Sequence, residues 1–343
     1  MKNLCLLAPL CLLLLAAAAQ AAPPTVRSAW LGEYEAFPAW YARHNHWDTA
    51  AGIELEMRAF PSGRYIIDNI ASLRWDVAGM GAAPAVLGML RDQAYVIGVG
   101  TDEAAANGIY VRPDSPLPAA LRHEPSPREY ARLVTGKVVL CPRGTSAHQL
   151  LLLWLNRIGL NEDSISLVDS SAEDAVTSLA NGVGDMAVLW APHGYAAERA
   201  GLRLLLTGRD AGLGQPTLLL ARKSFAEENG AEVGAFLGCY LRAVEALRAL
   251  PAERAAALYR DFQRDFCGRE ISEGEALREV ETHALYDAAR QKSLLGSGAG
   301  PGTWLEDILA FHERTGELSR GQTRALRQLP LMRGDFLPDS PAP

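Results

Sequence analysis

The chain has 343 residues, 49% hydrophobic and 21% charged, with 31 glycines and 20 prolines, which excludes a disordered or collagenous protein. Its 40 acidic against 33 basic residues give a formal charge of -7, which argues against nucleic acid or an anionic membrane surface as the main partner. The length exceeds what one hydrophobic core usually serves, so two lobes are expected.

The only long apolar stretch opens the chain, which excludes a multi-pass membrane protein. It reads as an export signal over residues 1–22. Lys2 is the basic segment, Leu4 to Ala19 the apolar one, and Ala19-Gln20-Ala21 the cleavage pattern, followed by Ala22, Pro23 and Pro24. Neither Cys5 nor Cys11 follows a small residue, so the expectation is a soluble periplasmic protein, not a lipoprotein. Cys141, Cys239 and Cys267 then meet an oxidising compartment. Cys239 and Cys267 lie in consecutive helical segments and are expected to form a disulfide, with Cys141 a buried thiol closing a strand. No Cys-x-x-Cys pair or zinc spacing occurs, so no metal is expected.

From Val26 the chain repeats one unit: a short apolar strand, a Gly/Pro/Ser turn, an amphipathic helix. Strands are expected at 26–31, 53–58, 76–80 and 95–99, with helices at 38–46, 63–74 and 84–91. Beyond the Pro-rich stretch from Pro113 to Pro127, Ser126-Pro127-Arg128-Glu129 is a capped helix start. Strands at 137–141, 165–168, 185–190 and 203–206 then alternate with helices at 145–157, 172–181 and 193–199. An apolar run from Thr217 to Ala221 leads into helices at 231–249, 252–265 and 272–290. A glycine-rich loop at 293–302 and a helix at 303–314 precede a Pro-ended tail. The fold class is α/β, each lobe a mostly parallel sheet flanked by helices, with a helical C-terminal extension.

In open α/β sheets ligands bind beyond the carboxyl ends of the strands, so the turns there are the places to search. The first strand leads into Gly32-Glu33-Tyr34-Glu35-Ala36-Phe37-Pro38. Two carboxylates beside two aromatics read either as a seat for an ammonium group or as an exposed acidic loop. Phe60-Pro61-Ser62-Gly63 offers Ser62 as a helix cap and Gly63 as room for a guest. Gly79-Met80-Gly81-Ala82-Ala83-Pro84 is a turn of small residues. Thr145 and Ser146 in Pro142-Arg143-Gly144-Thr145-Ser146-Ala147-His148 bring hydroxyls and amides to a helix start, without the Gly-Lys-Ser/Thr ending of a P-loop. Trp190, at the end of the strand at 185–190, reads as a ligand wall or as core.

Taken together, Ala59-Phe60-Pro61-Ser62-Gly63, Asp76 through Pro84, Ile97-Gly98, Gly136 through His148, Leu155 to Leu160, Ala180 through Ala187 and Trp190-Ala191-Pro192 resemble the periplasmic solute-binding proteins of the nitrate/sulfonate/taurine ABC-transporter group, which also includes thiamine-pyrimidine binders. The resemblance runs from about Val26 to about Glu245. It implies a type II periplasmic-binding fold, with 23–107 and 216–343 forming one lobe and 108–215 inserted as the other. The crossings fall near 105–110 and 210–222, where Gly108, Gly212 and Gly214 would absorb a hinge rotation. It carries ligand contacts to Glu33, Tyr34, Phe37, Ser62, Gly63, Ala82, Ala83, Thr145, Ser146 and Trp190. It implies a monomer that captures a small anionic or zwitterionic organic ligand and delivers it to an ABC permease and, through it, the ATPase, without a cofactor. Glu33 and Glu35 depart from the pattern: they would repel a divalent anion and favour a zwitterion or a positively charged heterocycle. The alternatives are pyrimidine-precursor binding, a pyrimidine-synthase-like enzyme on the same fold, or a sensor input module. No Gly-x-Ser-x-Gly elbow or oriented Cys/His pair occurs, so catalysis is not expected.

Overall fold

The computed structural model describes residues 22–90, 93–122, 126–295, 302–328 and 332–338. The export signal expected at the N-terminus lies, up to Ala21, outside these residues. Ten strands are present among the described residues: β1 Thr25–Trp30, β2 Glu54–Ala59, β3 Val77–Gly81, β4 Ala94–Asp102, β5 Gly108–Val111, β6 Val138–Cys141, β7 Ser166–Asp169, β8 Met186–Leu189, β9 Arg203–Thr207 and β10 Pro216–Arg222. They form two five-stranded sheets, ordered β2-β1-β3-β10-β4 and β7-β6-β8-β5-β9.

β1 pairs with β2 and β3 in parallel, as β6 does with β7 and β8. β10 and β5 run antiparallel to both neighbours. Each arrives from the other sheet and enters at the strand end the chain has just left, so its direction is reversed; Pro216 accordingly pairs with Asp102. The two crossing segments are bound to each other. Glu103 N donates to Gln215 O at 2.9 Å, Arg209 N to Ala104 O at 2.8 Å and Gly208 N to Asn107 O at 3.0 Å. The side chain of Asn107 donates to Gln215 Oε1 at 3.1 Å.

The first sheet is covered on both faces. Helices Phe37–His44, Gly230–Arg248 and Ala252–Cys267 enclose an aromatic core in which Trp30 stacks on Tyr240 with centroids 6.4 Å apart and Phe37 meets Tyr259 edge-on at 5.3 Å. On the opposite face Ile66, Ile67, Val86, Ile308 and Leu309 pack from helices Gly63–Asp68, Ala82–Leu90 and Gly302–Arg314. Full burial of such a side chain contributes about 1.5–3 kcal/mol, which fixes the helices against the sheet. The last of these helices also reaches the second half, where Phe311 joins the other core and lies edge-on to His148 at 5.3 Å.

Several local signals act as their chemistry dictates. Ser126 and Glu129 form a reciprocal capping box, with Ser126 N donating to Glu129 Oε2 at 2.9 Å. The helix expected over 63–74 is interrupted at Asn69, and the one over 272–290 ends at Thr282 and resumes as Ala288–Leu295. Helix Arg320–Leu326, capped by Ser319 and Gln322, stands where only a Pro-ended tail was expected.

The disulfide is a correction. Cys141, Cys239 and Cys267 are all free thiols. Cys239 points into the aromatic core and its Sγ lies 3.1 Å from Phe236 O. Cys267 closes its helix beside Gly32, where a Cβ would come within 2.8 Å of its Sγ. Packing aims the two side chains at different neighbours, and burial pushes both thiols up to about 12.

Candidate functional site

The carboxyl ends of both sheets face one narrow hollow of about 20 Å³, room for about one water. From the first sheet come Leu31 and Glu33 after β1, Ser62 and Gly63 after β2, Gly81 and Pro84 at the end of β3, and Glu103 after β4. Thr145 and Ser146 after β6 and Trp190 after β8 close it from the second sheet. Ser62 caps its helix by accepting from Tyr65 N at 3.1 Å. Thr145 heads helix Ser146–Arg157, its hydroxyl donating to Pro142 O at 2.7 Å. Gln215 links this helix start to the crossing segments by donating from Nε2 to Ser146 O at 2.8 Å.

Of the residues expected at the site, Glu33, Ser62, Gly63, Thr145, Ser146 and Trp190 line the hollow. Tyr34, Phe37, Ala82 and Ala83 do not. Tyr34 stacks on His283 at 4.9 Å and packs on Phe37 and Tyr259, inside the aromatic core. Ala82 and Ala83 begin a buried helix, and Ala83 O accepts from His312 Nε2 at 2.7 Å. Gly81 and Pro84, in the turn of small residues singled out from the sequence, also line it, whereas sequence reasoning missed Leu31 and, above all, Glu103. The signal for Glu103 is its place just past an apolar strand that runs longer than expected, to Asp102.

The loop after β1 is buried rather than an exposed acidic loop: Glu33 is 8% exposed and Glu35 0%. Gly32 is required there, because a Cβ would meet both Cys267 Sγ and the Arg269 guanidinium. Burial, reinforced by Glu35 and Glu103 and opposed by Arg269, holds the Glu33 carboxyl well above the usual range. Burial and the neighbouring Glu103 push Glu35 up to about 8. Glu103 is likewise raised by burial, with the Ser146 hydroxyl pulling the other way. Neither oxygen of Glu35 has a hydrogen-bond partner among the described residues, nor does Glu103 Oε1 or Trp190 Nε1. A buried polar group left so costs about 1–3 kcal/mol, so Glu103 Oε1 and Trp190 Nε1 are points where a guest would be stabilised. Among the described residues, no group of His, Cys, Asp and Glu side chains could hold a metal ion.

Strand ends from two sheets meeting over one hollow, with the chain crossing twice between them, are matched in known proteins. The sequence agrees with the NMT1-like family over residues 19–259, more than half of the chain. The chain belongs to the NMT1-like family. Its fold is that of the periplasmic binding proteins. A Brachyspira hyodysenteriae protein named as an ABC transporter periplasmic binding protein is 25% identical over 239 residues, 68% of each chain. An Escherichia coli protein named as an aliphatic sulfonates-binding protein is 29% identical over 206 residues, 58% of this chain and 59% of that one. Among solved structures, the aliphatic sulphonate binding protein SsuA of Escherichia coli superimposes with TM-score 0.65 at 19% identity, covering 88% of this chain and 97% of its own. The nitrate-binding protein NrtA of Synechocystis does so with TM-score 0.66 at 15% identity, covering 94% and 93%. These relatives are transport binding proteins.

Proposed function

We propose that this protein is a periplasmic solute-binding protein that captures one small organic molecule between its two halves and presents it to an ABC permease and its ATPase. The observation that carries the reading is the hollow itself, lined from both sheets at their strand ends, the place where open α/β sheets bind ligands. The hollow is too small for an organic guest as it stands. Entry therefore requires the halves to part, and the guest is held when they close again over it around a wider hollow than this one. The paired crossings, Glu103 to Asn107 and Gly208 to Gln215, are the hinge, with the first half at 23–107 and 216–343 and the second at 108–215. The protein acts as a monomer, binds without turnover and uses no cofactor. Sulfonate-binding relatives and the amide-presenting start of helix Ser146–Arg157 favour a ligand with an anionic or acceptor end.

A thermal-shift screen of the purified protein against sulfonates, amino acids, pyrimidines and nitrate tests this. One class is expected to raise the melting temperature in a concentration-dependent way and to be recovered unchanged. Chemical conversion of the bound compound would overturn the transport reading.

A further inference from the structure

The charge of the hollow differs from what the names of the relatives imply. Both charged side chains that line it, Glu33 and Glu103, are acids, and no lysine or arginine lines it among the described residues. Glu103 is 4% exposed, and its Oε1 has no hydrogen-bond partner among the described residues, although the Ser146 hydroxyl acts on the same carboxyl. Gly81 makes the space for that oxygen: a Cβ there would stand 3.0 Å from it. Across the hollow, Trp190 is also 4% exposed, and its Nε1 is a donor without an acceptor among the described residues. An orphan acidic acceptor and an orphan donor on facing walls define a guest with a charged donor at one end and an acceptor at the other.

We propose that the cleft recognises a protonated amine, its ammonium N–H groups donated to Glu33 and Glu103 against the Trp190 ring, on a ligand whose other end offers an acceptor to Trp190 Nε1. An ammonium group satisfies Glu103 Oε1, gains from the face of an indole and brings a positive charge to two buried acids. The surrounding charged groups are Glu35, Glu279 and Asp102 on the acidic side and Arg269 and His283 on the basic side, so acids predominate. The partial positive charge of about half a unit at the start of helix Ser146–Arg157 suits the acceptor end of such a ligand, and no basic side chain lines the hollow among the described residues to pair with a plain anion.

The proposal rests on the hollow being the solute cleft. It is tested by calorimetric titration of the full chain with three probes that differ only at their ends: n-propylammonium, 3-aminopropanesulfonate and propanesulfonate. Both ammonium probes are expected to bind at least about ten-fold tighter than propanesulfonate. E103Q is expected to weaken them by about ten-fold and to narrow their advantage over propanesulfonate, with E33Q as the second variant if E103Q does not fold. Propanesulfonate binding as tightly as 3-aminopropanesulfonate, or no ammonium binding up to about 10 mM, overturns the proposal. Propanesulfonate that binds and compacts the particle would remove the amine and keep solute capture. Ammonium binding without compaction would do the reverse.

Discussion

The Tyr195 hydroxyl donates to Glu279 Oε1 at 2.5 Å, tying a helix of the second half to one that packs on the first. The same carboxyl accepts from Tyr259 at 2.9 Å, and Arg278 lies over the Tyr195 ring at 4.9 Å while pairing with Glu198 at 2.8 Å. These contacts hold the cleft shut. Y195F removes one buried hydrogen bond, about 1–3 kcal/mol, and shifts the population toward the open form. The expected result is a ligand affinity lower by about ten-fold with cooperative unfolding retained. An affinity equal to that of the native protein would separate Tyr195 from closure.

Gly81 tests whether the hollow is the site. An added Cβ stands 3.0 Å from Glu103 Oε1 and 3.6 Å from Ser146 Oγ, so G81A narrows the hollow without needing a forbidden backbone angle. Ligand affinity is expected to fall about ten-fold or more while the melting temperature moves by only a few degrees. Unchanged binding would place the ligand elsewhere.

Glu35 sets a pH dependence of the unliganded protein. Its folded carboxyl titrates near 8, above the usual 4.5, so the folded state binds the proton more tightly than the unfolded chain. Its stabilising contribution is therefore complete below about 4.5 and is lost as pH rises toward about 8. E35Q keeps the shape and removes the titration. It is expected to flatten the fall in stability over that window, and at pH 8 to exceed the native protein by about a few kcal/mol. Urea midpoints at pH 5 and pH 8 for both proteins measure it; parallel curves would contradict the role given to Glu35.

The cysteines give a chemical check. Alkylation of the protein unfolded without reductant is expected to label Cys141, Cys239 and Cys267 alike, and the native protein to react slowly at all three. Labelling of Cys141 alone would restore the disulfide expected from sequence.

Much of the architecture is readable in the chain because its punctuation is local. Ser62-Gly63 and Thr145-Ser146 sit where an apolar run meets a cap, and both reach the hollow. The remainder depends on packing at long range. Tyr34 and Phe37 sit in the same turn as Glu33, yet helices Gly230–Arg248 and Ala252–Cys267 cover that side and draw them into the core. β5 is four residues long and adjoins a crossing, too short to give a periodic signal, and the reversed direction of β10 follows from topology alone. Glu103 carries no motif. It becomes a cleft residue because β4 runs to Asp102 and Gly81 leaves space for the side chain. Helix adjacency suggests a bond between Cys239 and Cys267, but it says nothing of which way each thiol points.

The central claim, that a guest is held by closing two halves over it, is met most directly by small-angle X-ray scattering of the purified protein with and without the screened compound that raises its melting temperature most. The radius of gyration is expected to fall on saturation and to fall less in Y195F. An identical scattering profile with saturating ligand would contradict it.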